Sequence, residues 1–376
     1  MIVPDAILGV LGGGQLGRMF CVAARTMGYR VWVLDPDPDS PAGALANRHL
    51  RADYDDEAAL NEMREHCAAV TTEFENVPAE ALEFLECRVP VRPSSRAVAI
   101  ARDRILEKSF IREQDLPTAA FFPIRAAADL QPACDALKLP ALLKTAQLGY
   151  DGKGQVAVNG LEDARQGFRE LGQAPCVLEE RVDLAVEVSV ILARSVAGET
   201  AVYPVGENVH VGGILDTTRV PARITDDVAA QASDMAVRLA ASMDYCGVLA
   251  VEFFLTTDGG LLINEMAPRP HNSGHYTLDA TVTSQFEQQV RTLCGLPPGS
   301  TRLLSPVVMV NLLGDVWSNG TPAWDRLLAN PQAKLHLYGK QEARAGRKMG
   351  HYNCLAEDAQ RAMDLAELIR AQLKDA

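Results

Sequence analysis

Residues 12–17 read Gly-Gly-Gly-Gln-Leu-Gly, between an apolar run, Ile7 to Leu11, and an amphipathic stretch, Leu16 to Met27, that Gly28 closes. With the apolar Val31 to Leu34 behind them, these segments can only be read as strand, glycine turn, helix and strand, a βαβ unit. A further strand, Ala68 to Thr72, ends in Glu73-Phe-Glu75-Asn76, and the segment to about Pro93 completes a small doubly wound domain. Glycines at 12, 14 and 17 satisfy G-x-G-x-x-G, and Asp35 ends the second strand, so the turn can bring backbone amides and a helix N-terminus to a phosphate or ribose. Alone, the motif fits a nicotinamide-dependent oxidoreductase, or a tight turn that binds nothing, as well as any other reading.

A chain of 376 residues exceeds what one core organises, which predicts two or three domains. Lys and Arg total 36 against 49 Asp and Glu, a net charge of -13, and this opposes binding to nucleic acid. An anionic substrate must then be held by local basic residues. The eight cysteines form no C-x-x-C pair and sit mostly among apolar neighbours, which fits reduced thiols in the cytoplasm. No signal-like leader and no run of about 18 apolar residues is present, so no membrane partner is expected.

Ser94-Ser95 cap a helix from about Arg96, and past Leu116-Pro117 the pattern turns to short strands: Ala141 to Lys144, Gln155 to Val158, Cys176 to Glu180, Val186 to Ala193 and Ala201 to Val205. They are expected to form an antiparallel sheet crossed by one helix, near Glu162 to Leu171. A long helix over Asp226 to Met243 precedes strands Gly247 to Leu255 and Leu261 to Asn264, joined by an Asp-Gly-Gly hairpin turn. A strand over Val307 to Leu312 and a helix from about Asp358 to Leu373 close the chain.

Four further constellations carry chemistry. Lys144 ends a strand ahead of Gly149-Tyr150-Asp151-Gly152-Lys153-Gly154-Gln155, a glycine loop whose amides can fold over a triphosphate while Lys144 and Lys153 supply charge. Glu252 and Glu265 lie on the two hairpin strands and, if those strands pair, both carboxylates can face one cleft, with Asn264 adjacent. Buried carboxylates left alone are costly, so a hard cation such as Mg²⁺ is the natural compensation. Ala267-Pro-Arg269-Pro-His271-Asn272 then forms a stiff loop that presents Arg269 and His271 to an anion beside the terminal phosphate. Lys340, Arg347 and Lys348, around glycines, look like a phosphate clamp.

Gly-Gly-Gln-Leu-Gly-Arg-Met, Gly-Tyr-Asp-Gly-Lys-Gly-Gln, Asn-Glu-Met-Ala-Pro-Arg-Pro-His-Asn-Ser-Gly-His and Gly-Arg-Lys-Met-Gly-His together resemble the ATP-grasp superfamily, and within it the carboxyaminoimidazole ribonucleotide synthase branch, over nearly the whole chain. The resemblance implies an α/β and α+β protein of three parts. An N-terminal Rossmann-like, pre-ATP-grasp domain spans residues 1–95. A central ATP-grasp core with a lid of about 118–184 spans 96–300, and a small barrel-like C-terminal domain spans 301–376.

The resemblance also implies ATP-dependent carboxylation of 5-aminoimidazole ribonucleotide with bicarbonate, through carboxyphosphate, in purine biosynthesis by a homodimer using Mg²⁺ or Mn²⁺. ATP contacts then fall on Arg104, Lys144, the loop Gly149 to Gln155, the run Glu179, Glu180, Arg181 and Val182, and on Glu187, His210, Asn264 and Glu265. Glu179 and Val182 would use backbone groups on the adenine, and Glu187 the ribose hydroxyls. The metal goes to Glu252 and Glu265. The substrate nucleotide touches Gln15, Leu16, Glu75, Asn76 and Arg269, with its phosphate on Lys340, Arg347 and Lys348. Arg269, His271, Lys144, Asp151 and Lys153 form the catalytic set. One departure is Gln147-Leu148 ahead of Gly149, where smaller or basic residues are expected.

Two rivals remain on sequence grounds beside the oxidoreductase: an ATP-grasp ligase with another acyl donor, such as a formyl-transferring enzyme, and a non-catalytic nucleotide sensor.

Overall fold

A computed structural model describes residues 1–149 and 154–374. Tyr150, Asp151, Gly152 and Lys153, assigned to the ATP and catalytic sets, lie outside the described residues.

The N-terminal part runs β1 (Ile7–Leu11), α1 (Gln15–Thr26), β2 (Arg30–Leu34), β3 (Arg48–Leu50), α2 (Glu57–His66), β4 (Ala69–Thr72) and α3 (Ala79–Glu86). Its four-stranded sheet has the order β3-β2-β1-β4, and every pair is parallel. Near-continuous burial of β1, β2 and β4 follows from helices covering both faces. Helices α4 (Ser95–Arg102) and α5 (Arg104–Glu113) follow. Ser94 accepts from Ala97 N–H to start the first, and Asp103 accepts from Ile105 and Leu106 N–H to start the second.

Next come β5 (Phe121–Ile124), α6 (Leu130–Ala136), β6 (Ala141–Thr145), β7 (Gln155–Val158), α7 (Leu161–Glu170) and β8 (Cys176–Glu180), then β9 (Leu184–Arg194), β10 (Thr200–Val202), β11 (Gly206–Val211), β12 (Ile214–Val220) and α8 (Asp226–Ser242). The hairpin β13 (Gly247–Thr256) and β14 (Leu261–Ala267) precedes α9 (Thr277–Ala280) and α10 (Gln285–Leu293). The chain ends in β15 (Val307–Leu313), α11 (Trp324–Leu328), β16 (Ala333–Leu337), β17 (Lys348–Leu355) and α12 (Ala359–Lys374).

The single antiparallel sheet expected from residue 141 to 205 is two sheets. Strands β6, β7 and β8 join β5 in the order β5-β8-β6-β7, whereas β9 and β10 belong to a nine-stranded sheet, β14-β13-β9-β11-β12-β15-β17-β16 with β10 beside β9. Separate helices dictate the split. Leu143, Val158 and Leu178 bury against Leu130 and Phe168 of α6 and α7, while Val188, Val190 and Leu192 bury against Met235, Ala236 and Leu239 of α8. Each sheet face needs its own apolar cover.

The C-terminal segment is not closed on itself. β15 pairs antiparallel with β12, Thr217 opposite Val310, so β15, β17 and β16 extend the large sheet and protect an edge that would otherwise be open. Ala362, Ala366 and Ile369 of α12 cover Val308, Val310 and Leu312.

The N-terminal sheet is fixed against the core by α10. Val290 and Leu293 pack with Phe20 of α1, Arg92 donates to Thr292 O at 2.9 Å and Leu293 O at 2.8 Å, and Gln289 donates to Thr71 Oγ1 at 3.1 Å. This docking gives one cleft two walls. No helix among the described residues is long and apolar enough to cross a membrane.

Candidate active site

A cleft of about 590 Å³ opens between the N-terminal sheet, the lid sheet and the large sheet. It is lined by Gln15, Leu16, Glu75 and Asn76 at one end, and by Arg104, Lys144, Gly149, Gly154, Gln155, Glu187 and His210 at the other. Glu252, Asn264 and Glu265 line the second end with Arg104, Arg269 lines the first with Glu75, and His271 and Lys348 complete the lining. Glu179, Glu180, Arg181, Val182, Lys340 and Arg347 do not line it. Glu180 is turned to accept from Lys138 N–H at 2.7 Å, and Arg347 donates to Glu342 O at 2.9 Å within its own loop. Lys340 reaches the cleft indirectly, donating to the Gln15 side chain and to Lys348 O.

Strands β13 and β14 place Glu252 directly opposite Glu265, and the pairing then steps from Glu265 to Ile263, leaving Asn264 as an extra residue opposite no partner. A regular strand alternates its side chains between faces. This bulge breaks the alternation, so the adjacent Asn264 and Glu265 both reach the cleft. Glu265 accepts from Arg104 at 2.8 Å, whose guanidinium holds its carboxyl well below the ordinary range against the effect of burial. Burial, with the neighbouring Glu265 charge, pushes Glu252 up. Glu252 Oε1 and Asn264 Oδ1 are buried without a hydrogen-bond partner.

Among the described residues no group of three or more His, Cys, Asp or Glu converges as a complete metal site. The paired carboxylates and orphaned oxygens nevertheless fit a hard cation that takes its remaining ligands from phosphates and water.

Behind Lys144, Glu179 lies between two lysines, its Oε2 3.0 Å from Lys108 Nζ and its Oε1 3.4 Å from Lys144 Nζ. Burial lowers the Lys144 pKa and Glu179 counteracts it. His210 sits where β11 bulges against β12, with Nδ1 2.6 Å from Glu187; burial would depress the imidazole pKa, but that carboxylate raises it. Gln147 is bonded to Asp103 at 2.9 Å, tying the departure ahead of Gly149 to the start of α5, while Leu148 is exposed with φ 61°.

At the opposite end Arg269 grips Glu75 with two bonds, 2.6 and 3.1 Å. This fork holds the Glu75 carboxyl below its ordinary range in spite of burial. His271 Nδ1 lies 2.9 Å from Ser273 Oγ, 3.3 Å from Ser273 N and 3.7 Å from Glu252 Oε1. Burial and the Arg269 charge depress the His271 pKa to about 3, so the imidazole is neutral at pH 7.

The first glycine turn is full. Asp35 Oδ2 accepts from Gly13 N–H at 2.6 Å and from Tyr54 O–H at 2.7 Å, while Glu73 accepts from the N–H groups of Gly14 and Gly17. A dinucleotide pyrophosphate and ribose would meet two carboxylates already in their places, which removes the oxidoreductase reading.

Sequence reasoning missed Glu73, Glu107 and Lys108. Glu107 is buried on α5 and accepts from Met266 N–H at 2.6 Å, beside the bulge; burial pushes its pKa up to about 8. Lys108 is fully buried and also donates to Asn264 O at 3.3 Å. Both look in sequence like the solvated face of a helix. Only Glu73, two residues before Glu75 at a strand end, carried a local signal.

The fold and the cleft define an ATP-grasp enzyme. The ATP-grasp domain family matches residues 109–286, the ribonucleotide synthetase preATP-grasp domain residues 6–102, and the phosphoribosylaminoimidazole carboxylase C-terminal domain residues 307–364. An N5-carboxyaminoimidazole ribonucleotide synthase of Bacillus subtilis (strain 168) is 44% identical over 351 residues, 93% of this chain and 92% of that protein. The N5-carboxyaminoimidazole synthetase of Staphylococcus aureus complexed with ADP superposes with a TM-score of 0.92 at 36% identity, covering 98% of each chain. The Aspergillus clavatus synthase, in complex with ADP and 5-aminoimidazole ribonucleotide, superposes with a TM-score of 0.90 at 30% identity, covering 99% of each. This chain belongs to the N5-carboxyaminoimidazole ribonucleotide synthase family of ATP-grasp ligases.

Proposed function

We propose that this chain uses ATP to carboxylate 5-aminoimidazole ribonucleotide with bicarbonate, forming N5-carboxyaminoimidazole ribonucleotide, ADP and phosphate in purine biosynthesis. The observation that carries this reading is the single cleft in which Lys144 and the Glu252, Asn264 and Glu265 oxygens lie at one end and Gln15, Glu75, Asn76 and Arg269 at the other, with His271 between. Relatives crystallised with ADP, and with ADP and the aminoimidazole nucleotide, support the assignment of both ligands.

Bicarbonate oxygen attacks the γ-phosphorus, ADP leaves, and carboxyphosphate forms. The exocyclic amine of the nucleotide then takes the carboxyl group, either from carboxyphosphate or from the CO₂ it releases, and phosphate leaves. Lys144 stabilises charge on the transferring group, and Arg269, oriented by Glu75, does so from the opposite wall. With His271 neutral, the imidazole meets the bound carboxylate as a hydrogen-bonding group rather than as a cationic clamp. Mg²⁺, or Mn²⁺ in its place, would be held by Glu252, Asn264 and Glu265 and would neutralise phosphate charge when bound.

The working domain division is 1–95, 96–300 with the lid at 118–184, and 301–376. Eight free thiols, five of them buried, support a reducing compartment such as the cytoplasm. The homodimer follows from the resemblance alone, and light scattering of the purified chain tests it.

Phosphate release with ATP, Mg²⁺, bicarbonate and aminoimidazole ribonucleotide, omitting each in turn, tests the reaction. Dependence on bicarbonate but not formate is expected. Release supported by formate would move the chain to a formyl-transferring ligase, and ATP binding without any release would make it a sensor.

A further inference from the structure

Glu73 has no role in the reaction as described, yet three features of the N-terminal sheet converge on it. β4 pairs in parallel with β1, Thr72 opposite Leu11, and Glu73 N–H donates to Leu11 O at 3.0 Å, so Glu73 lies beside the glycine turn that follows β1. Its two carboxyl oxygens accept from the Gly14 and Gly17 N–H groups at the start of α1, the latter at 2.7 Å. Two convergent amides and a helix N-terminus form a hollow that suits an anion. The glycines admit this carboxylate in particular. Gly12 has φ 106°, and a Cβ on Gly14 would come within 2.5 Å of Glu73 Oε1.

We propose that Glu73 is a built-in anion that occupies the phosphate hollow of the glycine turn, positions Gln15 and Leu16 for the substrate nucleotide, and directs the phosphate of that nucleotide away from the helix terminus. Gln15 and Leu16 are the first two residues of α1, so the bonds to Gly14 and Gly17 bracket them and set the direction in which they enter the cleft. Gln15 in turn receives Lys340, whose ammonium also donates to Lys348 O. The carboxylate at one end of this chain of contacts repels an incoming phosphate, and the lysines at the other attract it. A turn that elsewhere would select dinucleotides is thereby made to select a mononucleotide, and pyrophosphate-bearing ligands are excluded.

Glu73 is a positioning and specificity residue, and the inference rests on the substrate nucleotide lying at this end of the cleft. The test is steady-state phosphate release by Glu73→Ala and Glu73→Gln, varying aminoimidazole ribonucleotide and ATP separately, with and without acetate, and with inorganic pyrophosphate as inhibitor. In Glu73→Ala the KM for the aminoimidazole nucleotide is expected to rise about tenfold, the weight of a charge-assisted hydrogen bond, while the KM for ATP stays within about twofold. Acetate, small enough to enter the vacated hollow, recovers part of the loss, and pyrophosphate becomes an inhibitor competitive with the aminoimidazole nucleotide.

A folded Glu73→Ala enzyme whose two KM values move together, or one that responds to neither acetate nor pyrophosphate, overturns the proposal. Should the alanine variant not fold, Glu73→Gln decides: its carbonyl serves one amide only, so an intermediate KM supports the proposal and a wild-type KM overturns it. Wild-type enzyme that releases no phosphate with the aminoimidazole nucleotide would instead sink the assigned reaction.

Discussion

The two ends of the cleft treat charge in opposite ways. At the nucleotide end every carboxylate is answered from within: Asp35 and Glu73 by the amides of the glycine turn, Glu75 by the fork of Arg269. At the ATP end Arg104 answers Glu265, but Glu252 Oε1 and Asn264 Oδ1 are buried with nothing to accept from. Polar groups satisfied by the fold are rigid and pre-oriented, whereas orphaned ones raise the free energy of the empty site and strengthen its affinity for a cation. The first end is built to select, the second to be completed by its ligand.

Substitutions at four places would break or sharpen this contrast. The largest effect is expected from Glu265→Ala, which removes a proposed cation ligand and strands Arg104. Turnover should fall about a hundredfold or more in the phosphate-release assay, and full activity would dissolve the metal assignment.

Arg269→Ala tests the paired end by leaving Glu75 without its fork. Because the two side chains retain 16% and 28% of their exposure, a loss of about 2–3 kcal/mol in urea unfolding is expected, less than for a fully buried pair. Adding Glu75→Gln should return part of that loss, and a strictly additive double variant would show that the pairing contributes nothing. Arg269→Lys keeps the charge but not the fork and should fall between.

Lys108→Met leaves Glu179 to Lys144 alone, which draws Lys144 away from the phosphates it is proposed to hold. The KM for ATP should rise about tenfold with the aminoimidazole KM unchanged. Equal shifts in both would mean a general loss of packing.

The smallest effect concerns pH. Glu107 has a folded pKa raised from 4.5 to about 8 by burial, so the folded state binds the extra proton between those values. Its contribution to stability is fully present below pH 4.5 and is lost as pH rises through about 8. Glu107→Gln keeps the neutral form and an acceptor for Met266 N–H, so the unfolding free energy of the metal-free enzyme should decline less over that range. An unaltered pH profile would place the Glu107 proton elsewhere.

Much of this was legible in the sequence wherever the signal was local. The glycine turn and its flanking strands, the Ser94 cap, and the Asp258-Gly259-Gly260 hairpin each rest on contacts within a few residues, and each is found where the pattern placed it. Strands β3, β5, β11, β12, β16 and β17 were not legible. They are short or carry buried polar residues, as β17 does with His351 and Asn353, so they lack the alternation that marks a half-buried strand. The split of one expected sheet into two depended on which helices cover each face, which no local pattern states.

The amino-acid order by itself determined the motifs and the ends of the elements that carry them, because caps, turns and strand periodicity act over a few residues. Tertiary structure alone decided that Asn264 and Glu265 share a face through a bulge, that Glu73 fills the glycine turn, and that Glu107 and Lys108 are interior. Those outcomes depend on register between strands and on helices packed across a sheet, joining residues such as Glu107 and Met266 that lie far apart along the chain.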